Sequence, residues 1–288
     1  MKKQLLTTLT VLLSQQAYTL PLSNPIEASL YTEGVRCLNC RGYEAYPCWK
    51  NEFGVRIGFY GDYVSNRNLQ VNAFSNNNAN CIQTTTLFTN AGTITFNFWN
   101  WIDLYVLMGA THLNLTSNSS VFTLNTTNQA ITQLDFSPTF AWGVGGRATL
   151  WECHCFGIGV EGQYFRTRPY LNSSTTAQSI VYFNNFDTPD IYSEWQVGIG
   201  LSYRFVTRDL STSFVPYVGA KWANAALSMN NTAYAQSGAG FYIPNLENGK
   251  VWGCAAGATL TVYNTFGVTV EGRWADESSV YAEGQLRF

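Results

Sequence analysis

From about residue 53 to the last residue, apolar and polar side chains alternate with a period of two, segment after segment. "FGVRIGFYGDYV" puts Phe53, Val55, Ile57 and Phe59 on one face and Arg56, Tyr60 and Asp62 on the other. "WIDLYVLMGAT" sets Ile102, Leu104, Val106 and Met108 against Asp103 and Tyr105, and "FAWGVGGRATLW" sets Phe140, Trp142, Val144 and Leu150 against Arg147. "FGIGVEGQYF" and "SEWQVGIGLSYRF" repeat the split, with Ile158, Val160, Trp195, Val197, Ile199 and Leu201 opposite Glu161, Gln163, Glu194, Gln196 and Arg204. It continues through "FVPYVGAKW", "KVWGCAAGATLTVY", "FGVTVEGRW" and "VYAEGQLRF". Successive side chains of an extended strand leave on opposite faces, so this period predicts strands; helical periodicity is hard to find.

The connections are of two kinds, and they alternate. Polar ones rich in Asn, Ser and Thr cover about 65–83, 114–138, 168–190 and 226–249. Short ones sit near 99–100, 152–155, 206–213 and 264–265, with a last tight turn near 275–279. From a first strand at 53–64 this order predicts about ten strands, with both barrel ends on the short-turn side. An outer-membrane barrel has this asymmetry, with short periplasmic turns and longer extracellular loops. The expected fold is all-β, a transmembrane antiparallel β-barrel of about ten strands, or up to about 16 if the long connections hide hairpins that widen it.

Charge placement supports a polar lumen. Arg56, Asp62, Asp103, Arg147, Glu161, Glu194, Arg204, Lys221, Glu271, Arg273, Glu283 and Arg287 all fall opposite the apolar row. An Arg or Lys facing lipid near the midplane costs about 2–4 kcal/mol, so these residues are expected to line a pore. Acids and bases balance among them, which predicts no strong ion preference. A soluble sandwich would also alternate, but its outer face should carry more charge. Only 12% of the residues are charged, about half the soluble norm, while 15% are aromatic. Trp142, Trp195, Trp222, Trp252 and Trp274 lie near strand ends, as an interfacial girdle would. The net charge of -2 gives no electrostatic case for nucleic acid.

The opening "MKKQLLTTLTVLLSQQAYT" has the positive start, short apolar core and polar end of a secretory signal peptide, with cleavage expected between Ala17 and Leu20. Beyond it, no apolar run is long enough for a helical membrane span. The expected organisation is a signal peptide at 1–19, a cysteine-containing periplasmic leader at 20–52 and an outer-membrane barrel at 53–288. All seven cysteines lie in the exported part, where disulfides are permitted, and an odd number leaves one thiol free or paired with another chain. Cys153, His154 and Cys155, with Cys37 and Cys40 of "CLNC", could be imagined around zinc. Cys-x-Cys is not the usual hairpin spacing for that metal, so neither metal nor other cofactor is expected. Disulfide or inter-chain roles are expected for Cys37, Cys40, Cys48, Cys153 and Cys155. The leader and the 152–155 turn fall on the same side and could meet. Cys254 sits mid-strand on the apolar face, where a small side chain is the plain reading.

An enzyme would need a catalytic set. His112 and His154 fall on opposite rims, and no "GxSxG" motif is present, so no catalytic residue is expected. The sequons at Asn114, Asn118, Asn125, Asn172 and Asn230 are what Asn/Ser/Thr-rich loops produce by chance. Val280, Ala282, Leu286 and Phe288 share one parity, and the terminal Phe288 resembles the signal read by bacterial barrel-assembly machinery.

The blocks "LPLSNPIEASLYTEGV", "RIGFYGDYVSNRNL", "FNFWNWIDLYVLMGAT", "FAWGVGGRATLWECHCFGIGVEGQYF", "SEWQVGIGLSYRF", "PYVGAKW" and "VTVEGRWADESSVYAEGQLRF" are similar to the chlamydial major outer membrane protein family. They follow the family's order from the start of its mature chain to the end, with "WECHC" and "FYGDYV" the most specific. The resemblance implies a multi-pass porin of the bacterial outer membrane through which small hydrophilic solutes diffuse. It also implies a frequent homo-trimer, with cysteines that cross-link envelope proteins. Expected partners are outer-membrane lipid, the barrel-assembly machinery, further copies of the chain and disulfide-linked envelope proteins. This chain is shorter than typical members, and its outer loops hold only Cys81. A barrel of about ten strands is narrow enough for side chains to fill. The competing expectation is therefore a structural or adhesive surface protein anchored by its barrel.

Overall fold

The computed structural model describes residues 20–30, 53–71, 82–117, 123–124, 131–153, 155–176, 180–182, 189–207, 212–230, 241–242, 244–263 and 265–288. A single helical turn, α1 (Glu27–Leu30), precedes the strands. In chain order these are β1 (Phe53–Arg67), β2 (Leu69–Val71), β3 (Ile82–Phe98), β4 (Ile102–Ser117), β5 (Thr123–Leu124), β6 (Ile131–Phe136), β7 (Thr139–Cys153), β8 (Phe156–Thr167) and β9 (Leu171–Thr176). They continue as β10 (Ile180–Tyr182), β11 (Ile191–Tyr203), β12 (Phe205–Val206), β13 (Thr212–Ser228), β14 (Phe241–Tyr242), β15 (Leu246–Asn248), β16 (Trp252–Val262), β17 (Phe266–Trp274) and β18 (Glu277–Arg287).

Strands β1, β3, β4, β7, β8, β11, β13, β16, β17 and β18 pair in that order, each antiparallel to the next, and close a 10-strand barrel. The seam joins the two ends of the barrel-forming chain. There β1 pairs with β18 from Arg56↔Arg287 to Arg67↔Glu277, and the Phe288 amide donates to the Val55 carbonyl at 3.0 Å. Short turns lie at the rim that holds Phe53 and Phe288; the long connections and the tight 275–276 turn lie at the other. The short extra strands do not widen the ring. β6 pairs with the outer end of β4 and β9 pairs with β6, while β15 bridges β13 and β2. They heighten the wall on the long-connection side.

Through the middle of the wall the apolar row faces outward. Ile57, Leu104, Met108, Val197, Ile199 and Val270 are exposed, whereas Arg56, Asp103, Glu161, Gln196 and Glu271 on the other parity are buried inside. Aromatic rings gather at both margins of this band, where amphipathic rings favour the membrane interface. Toward the short turns, Phe53 packs on Phe96 and Phe98, and Phe205 packs on Tyr203 and Phe214. Toward the long connections, Trp195 meets Trp222 edge-on at 4.3 Å, and Trp142 lies against Tyr164.

Farther out, the phase of the pattern inverts. Along β4 the apolar residues move from Ile102, Leu104 and Met108 on the outer face to Leu113 and Leu115 on the inner face, both buried. Leu134, Phe136, Phe165, Leu171, Tyr192, Leu227 and Leu246 join them in one buried apolar cluster. The expectation of a polar lumen therefore holds in the lipid-facing band and fails at the outer mouth, where an apolar cluster lies across the interior.

Candidate functional site: a filled lumen

All twelve charged residues singled out from the alternation point inward; each is buried except Arg287, which is half-buried. They are not spread along an open channel. Near the short-turn mouth Arg56 pairs with Asp103, which also accepts from Asn97 at 2.8 Å. Midway, Tyr105 donates to Glu161, Tyr281 donates to Glu283, and Thr93 donates to Glu283 at 3.0 Å. Toward the outer mouth Arg273 pairs with Asp62, Lys221 with Glu277 at 2.7 Å, and Arg67 with Glu194 at 2.7 Å.

Residues 20–30 occupy the axis between these groups, and all are buried. The sequence assigns 20–52 to a periplasmic leader; its described part, 20–30, runs through the barrel. α1 sits at the short-turn mouth, where Glu27 pairs with Arg147 and accepts from Gln285, and Asn97 donates to the Ala28 carbonyl at 2.9 Å. Ser29 donates to Glu152 and accepts from Arg204 at 3.1 Å. Farther in, Asn24 donates to the Val215 carbonyl and to Thr259, and the Leu22 amide donates to Glu271 at 2.9 Å. Gln163 and Gln196 both donate to the Pro21 carbonyl, at 2.7 and 2.9 Å. The Leu20 amide reaches Glu194 at 3.3 Å.

Glycines make the room. On the inner face of β8, β11 and β13, a Cβ at Gly159 would lie 1.7 Å from the Pro25 oxygen, and one at Gly198 or Gly219 would lie 2.1 Å from Leu22. Gly157 and Gly200 face Ile26 and Pro25 in the same way, at 2.4 and 2.9 Å. Close approach of another backbone is a recurrent reason for glycine inside a strand. With the segment seated, a cavity of about 10 Å³ remains between Ser23, Tyr60, Thr93, Tyr105, Glu161 and Glu283. That is about the room one water molecule needs.

The alternation missed several inward charges. Arg67 and Glu152 lie beyond register shifts between Val64 and Asn66 and between Thr149 and Trp151. An extra residue reverses which face the following side chains take. Arg67 thus turns into the outer lumen and Glu152 into the short-turn mouth. Glu277 follows the parity of Ser279, Tyr281 and Glu283, so strand phase alone could have found it. Glu27 could not be reached by strand phase at all.

Cys37, Cys40, Cys48 and His154 lie outside the described residues. Cys153 ends β7 and is disulfide-bonded; Cys155 is a half-buried thiol in the turn after it, and Cys254 is a half-buried thiol on the outer face of β16. His112 leaves the outer face of β4 and lies 3.0 Å from Asp135, which also accepts from the amides of Asn114 and Asn172.

The chain matches the model of the Chlamydia major outer membrane protein family over residues 1–86, 125–187 and 184–247. It is 27% identical to a major outer membrane porin of Chlamydia pneumoniae, covering 93% of this chain and 94% of the relative. The serovar F major outer membrane porin of Chlamydia trachomatis is 26% identical, with 93% and 94% covered. Among solved structures, the beta domain of the Bordetella autotransporter Brka is similar at a TM-score of 0.42 and 8% identity, covering 82% of this chain and 100% of that one.

Proposed function

This chain belongs to the Chlamydia major outer membrane protein family, and from that premise we propose that its barrel passes small hydrophilic solutes along the charged lumen when residues 20–30 leave the axis. The protein is a multi-pass outer-membrane porin rather than an enzyme. The pathway is lined by Arg56, Asp62, Asp103, Arg147, Glu161, Glu194, Arg204, Lys221, Glu271, Arg273, Glu283 and Arg287, joined by Arg67, Glu152 and Glu277. The observation that carries this reading is the polar seating of the segment. Most of its polar atoms are held by amides, carboxylates and guanidinium groups that water can replace once it leaves, and Leu20, Ile26 and Leu30 add apolar contacts with the wall.

Planar-bilayer conductance tests it. Deleting residues 20–30 from the mature protein should raise the open-channel current well above that of the full chain. Correctly folded, heat-modifiable barrels of both forms that stay silent would overturn the diffusion reading. A silent pair would favour the structural reading, which the filled lumen itself supports. The reading also has envelope proteins cross-linking at the short-turn rim, supported by the position of Cys155 there, and has Phe288, at the β1–β18 seam, offered to the assembly machinery.

A further inference from the structure

Removing a leader between Ala17 and Leu20 creates an α-ammonium, and in the outer lumen the carboxylates Asp62, Glu194, Asp276 and Glu277 share only Arg67, Lys221 and Arg273 among the described residues. We propose that the α-ammonium which cleavage leaves at Leu20 is bound inside the barrel by Glu194, with Asp276 and Glu277, which share Lys221 with the Leu20 carbonyl, supplying the further negative charge. The inference deepens the porin reading, on which it rests for the role of residues 20–30 as an occluding segment.

The geometry comes first. The Leu20 nitrogen lies 3.3 Å from Glu194 Oε1, and the Leu20 carbonyl accepts from Lys221 Nζ at 3.4 Å. The Leu20 side chain is buried in the apolar cluster of the outer mouth, so the residue is held on both sides. The charges come second. Arg67 holds Glu194 with contacts of 2.7 and 2.8 Å and lies 4.0 Å from Glu277 Oε2. Lys221 is spent on Glu277 at 2.7 Å, and Arg273 is shared between Asp62 and Glu277.

Asp276 is left with Lys221 at 4.0 Å. It is 2% exposed, and among the described residues neither of its carboxylate oxygens has a hydrogen-bond partner; nor does Glu277 Oε2. A buried carboxylate is strongly unfavourable unless it is paired. An amide at Leu20 would supply one donor and no charge. An ammonium supplies three donors and the missing positive charge. Proteolytic maturation would then set the seal, because a precursor still carrying its leader has no such charge to place.

The experiment uses mature protein extracted from outer membranes in mild detergent. Intact mass should give a chain beginning at Leu20. Its amine should react with an acylating reagent at least about tenfold more slowly in the folded barrel than after heat unfolding, with exposed Lys250 as internal control. Asp276→Asn should raise that rate, and Glu277→Gln serves if the first variant does not fold. A different first residue, protection below that level, or a rate unchanged in a folded variant would overturn the proposal. None of these outcomes depends on whether the deletion of residues 20–30 conducts.

Discussion

Gly159 carries more of the lumen's design than any charge in it. A methyl group there would stand 1.7 Å from the backbone oxygen of Pro25 and 3.0 Å from that of Ala148, neither of which can rotate away as a side chain can. Gly159→Ala should therefore unseat residues 20–30 while leaving the β7–β8 ladder intact. Overpacking of this kind costs about 1–3 kcal/mol, a shift of roughly 5- to 150-fold in the ratio of seated to released segment. Protease cleavage within residues 20–30 of the folded variant measures it, and cleavage no faster than in the parent would refute the fit. The groove was partly legible in "FGIGVEG" and "VGIGLSY", where glycine falls at successive inward positions. Strand phase says where a glycine points, but it does not say which distant segment comes to meet it.

At the level of the strand, alternation located nine of the ten barrel strands, and the connections on either side implied β3, because a lipid-facing row and a charged inner row leave little freedom of register. Two things escaped it. The register shifts in β1 and β7 reverse parity locally, which hid Arg67 and Glu152. The inversion along β4, from an outward Met108 to an inward Leu113 and Leu115, marks where the wall leaves the apolar band and its outer face no longer meets lipid. Ile199, 53% exposed, lies on β11 midway between Trp195 and Tyr203, which places it near the centre of that band. Ile199→Lys should lower unfolding stability in phospholipid vesicles by about 2–4 kcal/mol. A cost under about 0.5 kcal/mol, typical of a solvated surface site, would remove that face from lipid.

For the molecule as a whole, the two rims differ in chemistry. The short-turn rim holds α1, the Glu27–Arg147 pair and the Cys155 thiol, while the outer rim carries a buried apolar cluster that includes Leu20. If cross-linking runs through Cys155, envelope protein on a non-reducing gel should show high-mass species that collapse on reduction and are lost in Cys155→Ser. Migration indifferent to reductant would end that proposal. The barrel was legible from sequence because it follows from local alternation. The occupied lumen was not, because its contacts join residues as far apart as Glu27 and Gln285, 258 positions away.

That separation bears on how the molecule is made. The first described segment is gripped by side chains from β1 and β3 through β18, and β18 also forms the seam with β1. Until that seam pairs, residues 20–30 lie in an open trough. Contacts so distant in sequence form late and slowly. Closing the wall and enclosing its contents are then a single event, and anything that holds the β1–β18 seam apart also keeps the interior wet.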